Sequence, residues 1–260
     1  MNAHFFDTIS IEALFLLTFV LMVVMLEVGF RFGSQLKGSK VKAQTSQVRA
    51  LMGATLGLLA FMLAFTFSAA QSHFENRIQF QIDEAVISKN AFMQSGLLPE
   101  PQQSQVRALL QEHVDDRVKL VQLVREKNQQ EIFRVLKRSE EIHLELWALW
   151  SEEGLADSSF GSSVLGLMDM QTRRGQAALI NRIPLVIWLT LYFTAVMSMI
   201  VTGYQAGLTE RRSPVATFSL ALAFSAVMML IMDLDRPLQS LFQIDVQVMQ
   251  QLAGFMRANR

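Results

Sequence analysis

Charged residues are almost absent from four windows of this chain and dense between them, and that alternation sets the order of its elements. The clearest window lies between Arg49 and Glu75, where ALMGATLGLLAFMLAFTFSAA carries no charge. About 20 such residues at the helical rise cross a hydrocarbon core of ~30 Å. No Pro or Gly interrupts the residues after it, and Phe74, Ile78, Ile82, Ala85 and Val86 recur at helical spacing among Glu75, Arg77, Asp83 and Glu84. The pattern predicts one helix from Ala50 to Phe92, a membrane span over 50–70 that continues into water as an amphipathic rod.

The other windows give transmembrane helix 1 at 8–30, helix 3 at 184–208 and helix 4 at 214–233. Pro184 suits a first helical turn, where its missing N–H is not needed. Between the first two spans, 31–49 reads as a short basic loop with Arg31, Lys37, Lys40, Lys42, Arg49 and no acid. The polar stretch 71–182 keeps helical periodicity, broken by Pro99 and Pro101 and again near Gly154. Residues 234–260 form an amphipathic C-terminal tail with Leu241, Ile244, Val246, Val248, Met249, Leu252 and Phe255 as its apolar positions. The expected fold is all-α: four transmembrane helices with a helical extramembrane domain inserted between spans two and three.

Such a chain is expected to be a multi-pass protein of the cell (inner) membrane, with the lipid bilayer as its first partner. Its termini and helical domain share one side. The two short loops hold Arg31, Lys37, Lys40, Lys42, Arg49, Arg211 and Arg212, which favours the cytoplasm for the loops and the opposite side for the domain. The MNAHFFDTIS start lacks a basic n-region, so the first apolar run is expected to stay in the mature protein. With 23 basic and 23 acidic side chains and no basic stripe, no nucleic-acid partner is expected. The absence of Cys excludes disulfides and thiol chemistry.

Enzyme motifs are missing. Glu140-x-x-His143 has the spacing of half a di-iron site but no second copy, so it reads as a solvated helix face. No catalytic residue, metal or cofactor is expected. The spans are more informative. Gly53, Gly57, Ala60 and Ala64 would permit close helix approach. Gly57, Phe61 and Phe65 also recur every four residues. Facing lipid or a neighbouring helix they are ordinary; facing a symmetry axis they would stack into apolar rings that gate by dewetting. Glu12 and Glu27 share a face of the first span, roughly 22 Å apart along it. Both are hydrated among headgroups, or Glu27 is an intramembrane carboxylate facing a protein or water-filled interior. At the edge of the fourth span, Asp233, Asp235 and Arg236 form an ionic cluster, either a structural clamp or an ion site near a pore mouth.

LLAFMLAFTFSAAQSHFENR (58–77), DEAVIS (83–88), LLPEPQQSQVRALL (97–110), NRIPLVIWL (181–189), GYQAGL (203–208) and LDRP (234–237) together resemble the bestrophin-like membrane proteins of bacteria. The chain is more distantly similar to bestrophin anion channels. That resemblance implies a homo-oligomer, a pentamer in the channels, conducting small inorganic anions passively through a pore lined by transmembrane helix 2. Its neck would be Phe61 and Phe65, with Gly57 where the channels carry a bulky apolar residue. The resemblance also puts the domain in the cytoplasm, against the placement of the basic loops. The acidic run that binds calcium in animal bestrophins is absent here, so no calcium dependence is implied. The alternative function is a non-conducting, membrane-anchored interaction or sensory protein acting through its helical domain.

Overall fold

The computed structural model describes residues 9–35, 41–126, 128–152, 159–179, 182–209, 213–236 and 247–259. Their regular elements are all α-helices: α1 (Ile11–Gln35), α2 (Val41–Ser95), α3 (Gln102–Arg125), α4 (Gln129–Glu152), α5 (Ser159–Leu179), α6 (Leu185–Leu208), α7 (Pro214–Asp235) and α8 (Gln247–Ala258). Four of them, α1, α2, α6 and α7, are long and apolar enough to cross a membrane. Helix takes in much of the stretch expected as a loop at 31–49, since α1 reaches Gln35 and α2 starts at Val41. Its lysines and arginines do not oppose helix, and Val41 to Arg49 contains neither Pro nor Gly.

Chain contacts divide the molecule into two compact units: Met1–His73 with Arg182–Arg236, and Phe74–Asn181 with Pro237–Arg260. In the first unit, Leu14, Thr18, Met22, Leu26, Gly29 and Gly33 form the buried stripe of α1. Two glycines on α1 and two on α6 let the backbones touch. A Cβ on Gly29 would overlap the Ile200 carbonyl oxygen, and one on Gly203 would overlap that of Leu26. Gly33 and Gly207 repeat the arrangement one turn on, against the carbonyls of Tyr204 and Phe30. In lipid, where apolar burial adds little between helices, such close packing is a main source of association. The Thr18 and Tyr192 hydroxyls share a hydrogen bond of 2.8 Å, and Ser198 Oγ donates to the Thr55 carbonyl at 3.1 Å, joining α6 to α2. Ser213 caps α7, its Oγ accepting from the Ala216 N–H at 3.4 Å.

The second unit has a water-soluble type of core. Phe92 of α2, Val106, Leu110 and Val114 of α3, Ile142 and Leu146 of α4, Phe160 and Leu167 of α5, and Leu252 and Met256 of α8 pack together. Each of the fully buried large side chains contributes about 1.5–3 kcal/mol relative to exposure. Helix α8 is therefore part of this unit; of the apolar positions expected in the tail, Leu241, Ile244 and Val246 lie outside the described residues. One expectation for α2 is reversed here. Ile82 and Val86 are exposed, whereas Glu84, expected on the wet side, is 3% exposed. The part of α2 in this unit buries Arg77, Glu84, Ser88 and Ala91.

Candidate functional site

Helix α2 turns Leu59, Leu63, Thr66 and Ala70 inward. Its opposite face holds Gly53, Ala54, Gly57, Ala60, Phe61, Ala64, Phe65 and Ser68, all exposed in the single chain. Phe61 is 70% and Phe65 67% exposed, and a Cβ on Gly53 or Gly57 would meet nothing within 4 Å. The small residues of the second span thus pack no helix of their own subunit. That role belongs to Gly29, Gly33, Gly203 and Gly207, whose identical four-residue spacing is the signal that sequence reasoning missed.

The Asp233–Arg236 group closes the end of α7, with all three charged side chains buried. Asp235 Oδ1 accepts a hydrogen bond from the Ile183 N–H at 3.0 Å, just before α6, and lies 3.9 Å from His73 Nδ1. Arg236 Nη2 donates to the Ile9 carbonyl at 3.0 Å, just before α1. These bonds tie the starts of two spans to the end of a third, the work of a clamp. Glu27 on α1 is partly exposed, and its Oε1 accepts from Arg31 Nε at 3.1 Å one turn on.

A cluster that the sequence did not reveal surrounds Glu84. Arg117 Nε of α3 lies 3.2 Å from Glu84 Oε1, and Arg174 Nη1 of α5 donates to Glu84 Oε2 in a very close contact. His113 Nε2 of α3 is 3.4 Å from Oε1, long for a hydrogen bond. Its ring stands 4.9 Å from that of His143 on α4, and its Nδ1 is 3.4 Å from Ser139 Oγ. Burial pushes the Glu84 carboxyl up, but His113 and Arg174 more than offset this and hold it below the usual carboxylate range. Burial, helped by the charge of His113, pushes His143 down to about 4 against a hydrogen bond with Gln171.

A family model described as the Bestrophin-like domain matches residues 14–249, from the first turn of α1 to the start of α8. The chain belongs to the bestrophin-like family. No curated protein and no solved structure matches it significantly. The match takes in the α2 face, Asp235 and the Glu84 cluster of this bestrophin-like protein, and with four apolar helices it marks a membrane protein in contact with lipid. The Glu140/His143 pair is split: Glu140 is exposed while His143 points into the second unit, so the expected solvated face is correct for the glutamate alone. A spacing of three places both on one side of a helix, and the His113 ring beside His143 is not visible in it. Among the described residues no three His, Asp or Glu side chains are placed to hold a metal.

Proposed function

We propose that this bestrophin-like protein conducts small inorganic anions passively through a homo-oligomeric pore lined by α2, with Gly57, Phe61 and Phe65 facing the axis. The observation that carries the proposal is the composition of the α2 outer face. The outer faces of α1, α6 and α7 present large side chains suited to lipid: Leu16, Leu17 and Val20; Val186, Leu189 and Phe193; Val215, Phe218 and Leu222. Helix α2 also exposes Leu51 and Leu58, but beside Phe61 and Phe65 its outer face carries Gly53, Ala54, Gly57, Ala60 and Ala64, a surface that suits close approach by another helix. No charged residue stands between Arg49 and Glu75, so rings of Phe61 and Phe65 would form an apolar constriction of the kind that gates by dewetting. The choice of anions rests on the similarity to bestrophin channels.

Purified protein in liposomes should pass chloride, and Phe65→Ala should widen the neck and raise the flux. Vesicles that stay tight at high protein density, for both proteins, would refute conduction. Both termini and the second unit are proposed to lie on one side of the membrane. Single cysteines replacing Ser39 and Ser104 should then react oppositely with an impermeant maleimide on intact cells; equal labelling would overturn that topology.

A second reading is favoured by α4, whose Phe133, Leu136 and Leu144 are exposed outside the spans. Such a patch suits a non-conducting protein that engages a partner through its helical unit. A stable monomer in mild detergent would support it over the channel.

A further inference from the structure

The Glu84 cluster is short of negative charge. Two guanidinium groups, Arg117 and Arg174, converge on one carboxylate, and among the described residues no second carboxylate pairs with either arginine. The nearby Asp116 interacts with Glu112, Lys119, His113 and Arg138, and pairs with neither Arg117 nor Arg174 among the described residues. Arg138 is itself held by Glu112 at 2.7 Å and Glu145 at 2.6 Å. The polar atoms left over in the cluster point the same way. Among the described residues Arg117 Nη1, Arg174 Nε, the Ser88 hydroxyl and Nε2 of His113 and of His143 are buried without a hydrogen-bond partner, and an arginine nitrogen can only donate. Ser88 is fully buried one turn beyond Glu84, on the same face of α2.

What the two arginine nitrogens lack is an acceptor, and what the charge balance lacks is an anion. A water molecule would satisfy the N–H groups but leave one positive charge, on side chains only 11% and 17% exposed, without a counter-charge, which the partly buried surroundings penalise. Buried guanidinium groups are compensated by anions, and their forked donors match halide and oxyanion acceptors. The neighbouring side chains of Glu84, His113 and His143 are each nearly fully buried, which favours a small species over a large one.

We propose that the second unit holds a small inorganic anion, chloride or phosphate, against Arg117, Arg174 and Ser88 beside Glu84. The site belongs to the second unit. Glu84 competes with the anion for the two arginines, so its carboxylate sets the affinity.

The test uses the full chain in detergent. Its thermal unfolding is followed while sodium chloride or, separately, sodium phosphate replaces sodium gluconate at fixed ionic strength and pH 7. The wild type should gain Tm along a saturating curve, and Arg117→Gln and Arg174→Gln should lose that gain. If either arginine variant fails to fold, Glu84→Gln decides the matter alone. Removing the competing charge should move the midpoint to an anion concentration at least about ten-fold lower. Saturation by only one of the two salts would identify the anion. A Tm indifferent to anion identity, a gain that survives Arg174→Gln, or an unmoved midpoint in Glu84→Gln would each overturn the proposal.

Discussion

Gly29 of α1 and Gly203 of α6 lie where two spans touch backbone to backbone: a Cβ on the first would enter the Ile200 carbonyl and a Cβ on the second that of Leu26. Any larger residue must push the helices apart, because backbone atoms cannot rotate out of the way. Gly203→Val is therefore expected to destabilise by about 3 kcal/mol or more. Gly57→Ala, which meets open space, should leave stability unchanged or raise it by up to ~1 kcal/mol through helix propensity. Thermal unfolding in one detergent compares the two; similar losses for both would mean that the α1–α6 crossing is not the closest contact of the spans.

The clamp gives a smaller effect. Asp235→Ala removes the acceptor of the buried Ile183 N–H and should cost about 1–3 kcal/mol. Asp235→Asn keeps an acceptor oxygen and should lose less. Equal stability of Asp235→Ala and the wild type in the same unfolding assay would remove the clamp from the account of how α6 begins.

Acid should loosen the second unit through His143. Its imidazole falls from the ordinary 6.5 to about 4 on folding, so the unfolded chain takes up the proton first. Stability is undiminished above about pH 6.5 and is lost as pH falls towards 4, by up to ~3 kcal/mol. Glu84, also held low, adds to the loss only below its own unfolded value of 4.5. His143→Gln cannot take up a proton and should flatten the curve between about pH 6.5 and 4.5. Unfolding measured by tryptophan fluorescence across that range reads the difference; parallel curves for variant and wild type would show that His143 does not titrate on unfolding.

The order of the helices can be read from the chain because charge-free windows, Pro184 and the Pro99/Pro101 pair are local signals. The partners of each face cannot. Gly29/Gly33 and Gly53/Gly57 have the same spacing, and only the tertiary structure decides which pair meets another backbone. By periodicity Glu84 belongs in water, because Ile82 and Val86 beside it are more apolar. Its burial depends on Arg117 and Arg174, which arrive from two other helices and are ordinary solvated side chains by sequence. The Phe61/Phe65 face is visible as a pattern, yet among the described residues of one chain nothing covers it.

That face is where the channel proposal is most open to challenge. The chain has no cysteine, so a single one replacing Phe65 can be addressed without background. In chloride-loaded liposomes, a charged methanethiosulfonate reagent should block flux through Phe65→Cys. It should leave Leu189→Cys, 62% exposed on the outer face of α6, unaffected. Equal inhibition at both positions, or flux through Phe65→Cys that the reagent does not change, would contradict a pore lined by α2.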